Sequence, residues 1–246
     1  MTTVLRPRAS LFHAEGGWFS ANWHFSFDQY WDEANMGIGD LRVFNDDRLV
    51  PGAAWPMHPH RDIEGITYVA EGTFEHADSR GNGGVLHPGA VQRATLGSGM
   101  QHSERNGSKT EPMRFIQMWI MPSRRGLEPS IEQREFGTDA RRNVLKPVLV
   151  PAKGFGGDGA PPQAGDAVTV HQDAAVYAGL LEANKKVRHE FRPGFDGYLF
   201  VVHGSLVRPD LDEGGAAKIQ AEPAIDLEAG PNGAEVLLVE TRTSTS

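Results

Sequence analysis

The chain contains no cysteine among its 246 residues. Disulfides, thiolate metal ligands and iron–sulfur clusters are therefore excluded, and imidazole and carboxylate remain as the strong metal ligands. Long apolar runs are lacking as well: nowhere do 18 apolar residues follow one another, and the N-terminus has no apolar core of a signal peptide. We expect a cytoplasmic protein with no membrane association.

Positive charge is also in short supply. The 24 lysines and arginines are outnumbered by 32 aspartates and glutamates, which gives a formal net charge of −8. The basic residues are scattered, apart from the pairs Arg124-Arg125 and Arg141-Arg142. Because nucleic-acid binding leaves a clustered basic footprint, we expect no direct contact with DNA or RNA.

Glycine and proline, in contrast, are plentiful, with 29 and 16 residues, and long apolar helical patterns are few. This composition favours short strands joined by tight turns, and we predict an all-β fold. Asn82-Gly83 is a strong hairpin signal. The apolar run over residues 115–121, bounded by prolines, is typical of a strand buried on both faces.

Two regions carry weaker local signals. Phe25 and Phe27 alternate with polar residues as a strand would, and His24 beside them is interpreted as a packed histidine. Residues 41–44 predict a strand, which the short polar side chains of residues 45–47 would end in a turn. The alternative is that the aspartates of this triplet contact a functional site. The Gly- and Pro-rich segment 151–166 predicts a loop.

Two short motifs hold most of the functional information: His58-Pro59-His60 and His102-Ser103-Glu104. In a strand, residues i and i+2 project from the same face with Cα atoms about 6.6 Å apart, so each motif offers two ligands to one point. If the motifs lie on neighbouring strands inside a small barrel, three imidazoles and one carboxylate converge. That arrangement is a metal site. A chance pair of histidines is the alternative, but both motifs lie beside turns, where strands begin.

Together with their surroundings, these motifs resemble the pirin family. The resemblance is strong over most of residues 15–136, and its markers are Leu41-Arg42-Val43, Asn45-Asp46-Asp47, His58-Pro59-His60-Arg61, Glu64, Thr67-Tyr68-Val69, Glu71-Gly72, Glu75-His76, Asp78-Ser79, Pro88-Gly89, Gln92, Gly97, Gly99 and His102-Ser103-Glu104. It implies a bicupin, two tandem jelly-roll β-barrel domains of the RmlC-like cupin type. It also implies that His58, His60, His102 and Glu104 ligate iron. In most cupins the carboxylate follows the first histidine pair, so Glu64 is expected to be a non-ligand here.

An internal duplication supports two domains. Residues 69–72 and 201–204 both run from an apolar strand into glycine. In that register Glu190 falls opposite His58 and Arg192 opposite His60, and a cation at the second position would repel a metal. We therefore predict a metal-binding cupin domain over residues 1–136 and a degenerate cupin domain without metal over residues 137–246.

The ligand set leaves positions of a five- or six-coordinate metal open for substrate or dioxygen. Pirins are similar to quercetin 2,3-dioxygenases, so the resemblance implies a mononuclear non-haem enzyme that opens the flavonol heterocycle and releases carbon monoxide. Its partners would be a flavonol-like substrate and dioxygen, and Glu104 would be both ligand and catalytic base. Fe(II) is the metal we expect, with Mn, Ni, Cu and Zn as alternatives. We expect a monomer.

Two other functions stay open. Mammalian pirin, which has the same ligands, implies an iron-dependent redox sensor that acts as a transcriptional co-regulator through protein partners. No nuclear-localisation cluster occurs in this chain. A closed structural metal would also be satisfied by three histidines and one carboxylate.

Overall fold

Nearly all regular structure in the computed structural model of the chain, which describes residues 2–157 and 165–243, is β-strand. The fold is an all-β bicupin, as predicted. Residues 158–164 of the predicted loop lie outside the described residues. Over the described ranges, no helix has the length and apolar character needed to cross a membrane.

The first half of the chain supplies most of two sheets. Its strands are β1 (Thr2–Arg6), β2 (Phe12–Glu15), β3 (Phe19–Trp23), β4 (Leu41–Leu49), β5 (Ala54–His60), β6 (Glu64–Glu71), β7 (Phe74–Asp78), β8 (Gly83–Leu86), β9 (Ala90–Thr95), β10 (Met100–Asn106), β11 (Met113–Ile120) and β12 (Ser130–Glu135). Short 3-10 helices lie at Arg8–Ser10 and Glu33–Asn35, and α1 (Thr138–Arg141) follows β12.

The second half supplies the third sheet. Its strands are β13 (Lys146–Pro151), β14 (Val168–Val170), β15 (Ala174–Leu181), β16 (Lys186–Glu190), β17 (Phe195–Arg208), β18 (Asp210–Asp212), β19 (Ala216–Gln220) and β20 (Ala224–Arg242). Among the described residues the main path of this sheet runs β1-β19-β17-β20-β15-β13-β14, with β16 on β20 and β18 on β17.

Within residues 2–157, one sheet has the strand order β12-β9-β6-β11-β4-β3-β2, and the other has the order β5-β10-β7-β8. Apolar side chains from both sheets, among them Val69, Phe115 and Phe74, form one buried cluster. The two sheets therefore enclose the interior of the first half, and each motif found in the sequence lies on the smaller sheet.

Of the two sheets of the first half, the seven-stranded one is buried on both faces. On β11, Ile116 and Met118 share a core cluster with Tyr198 and Phe200 of the second half, whereas Phe115 faces the interior of the first half. Successive strand residues point to opposite faces, so one strand contributes to both packing layers. The prediction of a doubly buried strand over residues 115–121 is confirmed as far as Ile120, where β11 ends, whereas Met121 is exposed.

The first strand crosses between the halves. Residues of β1 pair antiparallel with β19, from Thr2 opposite Gln220 to Arg6 opposite Ala216. The Arg6 guanidinium donates to the carbonyl of His24 and, over 3.2 Å, to the hydroxyl of Tyr198. The N-terminus thus ties the two halves together, and the division of the chain at residue 136 stays a prediction.

Two local predictions were wrong. Asn45-Asp46-Asp47 is the middle of the nine-residue strand β4 and does not form a turn, because neighbouring strands on both sides continue the pairing. Residues 25–28 lie outside the strands and make only an isolated bridge, Phe27 with Tyr30. At residues 45–47 tertiary pairing overrides local preference.

His24 is confirmed as a packed histidine. It is fully buried, its Nδ1 lies 2.8 Å from the Tyr198 hydroxyl, and its ring packs edge-on against Phe44 and Phe200. Burial lowers the pKa of His24 to about 3, and the charge of Arg6 adds to the shift. The imidazole is therefore neutral in the folded protein at every pH near neutrality.

We expect the free energy of unfolding to fall as the pH decreases below 6.5. The unfolded chain protonates this imidazole below that value, whereas the folded chain resists protonation until about pH 3, so acid favours the unfolded state. Relative to His24→Gln, the wild type should lose about 2 kcal/mol more between pH 7 and pH 5 in denaturant titrations. His13→Gln, at a half-exposed site on β2, is the matched control. Parallel pH profiles for wild type and His24→Gln would contradict the assignment.

Candidate metal centre

The two motifs lie on neighbouring strands. β5 and β10 pair antiparallel, with His58 directly opposite His102. The register shifts between His102 and Glu104, because three residue steps on β5 match two steps on β10. Such a bulge redirects side chains locally. The sequence predicted a shared metal site on the condition that the two motifs lie on neighbouring strands, and the structure meets that condition.

Three imidazoles converge at this pairing. One ring nitrogen from each of His58, His60 and His102 lies within 4.8 Å of the other two. The ring of His58 is 4.6 Å from that of His102 and 4.8 Å from that of His60, between centroids. Among the described residues, no carboxylate joins this group at the same distance. Glu104 lines the adjoining cavity instead.

The hydrogen bonds of the histidines fit a metal. Nδ1 of His58 lies 2.7 Å from the Pro56 carbonyl oxygen, which can only accept, so Nδ1 carries the proton and the Nε2 lone pair is free. His102 is buried, and its Nε2 has no hydrogen-bond partner in the part of the chain that the structure describes. A buried nitrogen is rarely left unpaired, and a cation would satisfy it.

The electrostatics of the cluster also suit a cation. Burial lowers the pKa of His102 to about 3, and the charges of His58 and His60 add to that shift. Burial likewise lowers the pKa of His60 to about 4. Neutral imidazoles with available lone pairs are the form that binds a metal. The donor set, three clustered imidazoles and a nearby carboxylate, therefore fits a divalent transition metal.

Glu104 is the buried carboxylate of the site. It has no salt-bridge partner among the described residues, and burial raises its pKa to about 7. A hydrogen bond from Gln117 opposes the shift. The Oε1 of Gln117 accepts a hydrogen bond of 2.8 Å from Thr67 Oγ1, so its amide group is left to donate to Glu104. Thr67 and Gln117 therefore hold this carboxylate in place.

A cavity of about 490 Å³ opens beside the histidines, between the two sheets. One wall is aromatic: Trp18 and Trp55 lie 4.4 Å apart, and Trp119 packs edge-on against His60 at 4.8 Å, between ring centroids. Phe27 closes this wall against Trp119. The volume is in the range that holds one drug-sized organic molecule. The aromatic surface suits a planar ring system.

The cavity also has a polar wall, which adjoins Trp119 on β11 and was only partly anticipated. Asn45 and Asp47 on β4 and Gln117 on β11 line the cavity with Glu104. The sequence offered aspartate contact as the alternative to a turn at residues 45–47, and Asp47 is the one that lines the cavity. The sequence contained no signal for Gln117, since it is a single polar residue inside an apolar run.

Three further side chains, Glu64, His171 and His76, lie outside the histidine cluster. Glu64 is fully buried, away from the histidine cluster, and accepts a hydrogen bond from Thr95 Oγ1 while its Oε2 lies 3.3 Å from His171 Nδ1. These contacts support its assignment as a non-ligand and place His171 in the contact between the halves. His76 on β7 is buried and hydrogen-bonded to Gln133 at 2.9 Å.

In the second half, the position that corresponds to His60 is occupied by a cationic side chain, Arg192. The Arg192 guanidinium lies 2.7 Å from Asp173 and also pairs with Glu240, which accepts a hydrogen bond from His189 at 2.8 Å. The groups that would otherwise bind a metal are engaged with this guanidinium. The absence of metal from the second half nevertheless stays a prediction.

Comparison with known proteins shows the family. The pirin family model matches residues 5–120, and the model of the quercetinase C-terminal cupin domain matches residues 159–241. The quercetin 2,3-dioxygenase of Escherichia coli K12 is 37% identical over 242 residues, covering 96% of this chain and 97% of that protein. The chain belongs to the pirin family.

Other pirins agree with this assignment. A pirin-like protein of Caulobacter vibrioides is 36% identical over 239 residues, covering 96% of this pirin and 97% of the relative. The structure of the bacterial pirin YhhW of E. coli in complex with nickel(II) has a TM-score of 0.87 at 34% identity. It covers 99% of this chain and 100% of that one. A relative thus binds a divalent transition metal.

We expect one equivalent of transition metal per chain, measured by elemental analysis of the purified protein. The His58→Ala/His102→Ala double variant should lose nearly all of it, because two of three clustered imidazoles are removed. His87→Ala, an exposed histidine outside the cluster, is the control and should keep the metal. A normal metal content in the double variant would contradict the three-histidine site. Two equivalents of metal in the wild type would contradict the prediction of one metal per chain.

Proposed function

We propose that this pirin is a mononuclear non-haem metal dioxygenase that opens the heterocycle of a flavonol and releases carbon monoxide. The ligands would be His58, His60, His102 and Glu104. The observation that carries the proposal is that a buried carboxylate, Glu104, lines one cavity together with two of the three clustered histidines and three tryptophans. The names of its relatives, quercetin 2,3-dioxygenases among them, support it.

A bound divalent metal, Fe(II) or alternatively Mn, Ni, Cu or Zn, would supply a Lewis acid for the flavonol 3-oxygen and an open position for dioxygen. The overall reaction needs no external reductant, because one flavonol and one dioxygen give one ring-opened ester and one carbon monoxide.

The residues of the chain would bind and orient the substrate. Trp18, Trp55 and Trp119 offer flat apolar surface to the flavonol rings and exclude water from the cavity. Glu104 would accept the proton of the 3-hydroxyl. A carboxylate that lines the same cavity as the substrate rings is placed to take that proton. Gln117 would hold the accepting carboxylate in one orientation.

We expect Glu104→Gln to lower turnover by about 10²–10⁴-fold, the usual contribution of a general base. The amide retains the shape of the side chain and a weak ligand oxygen but cannot take the proton. The measurement is carbon monoxide release and loss of flavonol absorbance after oxygen is admitted to protein loaded anaerobically with Fe(II). Glu75→Gln is the matched control, since Glu75 lies on the outer face of β7 and pairs with exposed Arg105.

The proposal has a clear contrary outcome. If no flavonol yields carbon monoxide with any of the five metals, the dioxygenase assignment fails. If, in addition, binding of a protein partner changes with the oxidation state of bound iron, the redox-sensing co-regulator is the better description. Full activity of Glu104→Gln would leave the enzyme in place but remove this residue from the role of base.

The Thr67–Gln117 hydrogen bond gives a second test. Thr67→Val removes the donor that fixes the Gln117 amide, at nearly constant volume. We expect kcat to fall about 3- to 10-fold, the equivalent of one lost hydrogen bond, with little change in KM. Thr67→Ser should restore the rate because it restores the hydroxyl. Equal losses in the valine and serine variants would indicate packing damage and contradict a positioning role.

A further inference from the structure

The polar wall of the cavity contains hydrogen-bonding groups that the protein does not use. The Asn45 side chain is only 3% exposed, and its Oδ1 has no partner among the described residues. Asp47 lies on the same face of β4, is 6% exposed, and its carboxyl group forms no hydrogen bond with another described residue. Both residues line the cavity beside the metal centre.

The residue between them shows what the fold does with a structural carboxylate. Asp46 points to the other face of β4 and accepts two hydrogen bonds from Arg114, at 2.7 and 2.9 Å. The same strand therefore pairs its buried charge fully on the face towards the second half. On the cavity face it leaves the Oδ1 of Asn45 without a partner among the described residues, and Asp47 lines the same cavity. A buried polar atom without a partner is destabilising, and a hydrogen-bond donor on a ligand in the cavity would remove that cost.

The chemistry of the wall defines the ligand. An amide oxygen and a carboxyl group both accept hydrogen bonds, so the complementary groups are hydroxyl donors. Asn45 and Asp47 are two residues apart on one strand, with Cα atoms about 6.6 Å apart, so the donors lie along one edge of the ligand. The aromatic residues that line the same cavity favour a ligand in which this edge belongs to a planar ring system.

We propose that Asn45 and Asp47 select polyhydroxylated aromatic substrates by accepting hydrogen bonds from hydroxyls other than the one that Glu104 takes. The inference rests on the proposed function, which supplies the flavonol class. It adds a specificity determinant: Asn45 and Asp47 on β4 distinguish substrates by the number of their further hydroxyls. The aromatic wall contributes affinity for the rings, and it does not distinguish these hydroxyls.

Binding can be tested apart from turnover. The full chain is loaded with Ni(II) under argon, and its tryptophan fluorescence is titrated with two flavonols: 3-hydroxyflavone, which has the single 3-hydroxyl, and quercetin, which carries hydroxyls on both ring systems as well. Three of the lining residues are tryptophans, so an occupied cavity should quench emission. We expect the wild type to bind quercetin more tightly.

Asn45→Leu keeps the shape of the side chain and removes its polar atoms. We expect it to weaken quercetin binding about 5- to 10-fold, the effect of one hydrogen bond, and to change 3-hydroxyflavone binding less than about twofold. Asp47→Leu should show the same selective loss, and Asn45→Ala replaces Asn45→Leu if that variant does not fold. Trp55→Phe is the matched control on the aromatic wall and should weaken both flavonols alike.

The outcomes separate the two proposals. Equal weakening of both flavonols by Asn45→Leu and Asp47→Leu, or no change in their ratio, overturns the selection by β4. Selective weakening in a protein that releases no carbon monoxide supports the binding role and refutes the dioxygenase. If neither flavonol binds to the wild type, both proposals are wrong.

Discussion

The burial of one sheet on both faces is the constraint on which the rest of the molecule depends. β4 and β11 lie at the centre of this sheet, with the second half of the chain on one side and the cavity on the other. Most side chains on them therefore face an interior, and the buried polar ones need partners. Arg114 and Asp46 meet that need through each other. On the cavity side the partners are Thr67 for Gln117 and, by our proposal, the substrate for Asn45.

The same constraint explains how far the sequence could be interpreted. The i, i+2 spacing predicted which ligands share a face, since that property is local to each strand. The pairing of His58 with His102 is a long-range contact, and only resemblance to a family indicated it. The triplet at residues 45–47 was predicted as a turn from its short polar side chains. Two-sided pairing overrides that preference, and single-residue patterns do not reveal it.

Charge balance in the cavity points to a cation. The residues that line it include the carboxyl groups of Glu104 and Asp47 but neither lysine nor arginine. Buried carboxylates are costly unless a positive charge or hydrogen-bond donors compensate them. Arginines close to the site, such as Arg114, are directed to the opposite face of the sheet. A divalent metal at the three histidines is the compensation that this arrangement of side chains accommodates.

The second half shows the same position adapted to a different cation. Val69 corresponds to Val201 in the duplication, and these residues pair with Phe115 and Val236, respectively, so Trp119 corresponds to Glu240. In the first half His60 packs on Trp119; in the second, the corresponding Arg192 pairs with Glu240. The contact between the two strands is retained while its chemistry changes. The guanidinium of Arg192 carries its own charge and stands where the first half has the imidazole of His60, and the carboxylate of Glu240 stands where the first half has Trp119. At this position an ion pair between side chains of the protein therefore takes the place of a contact between two rings.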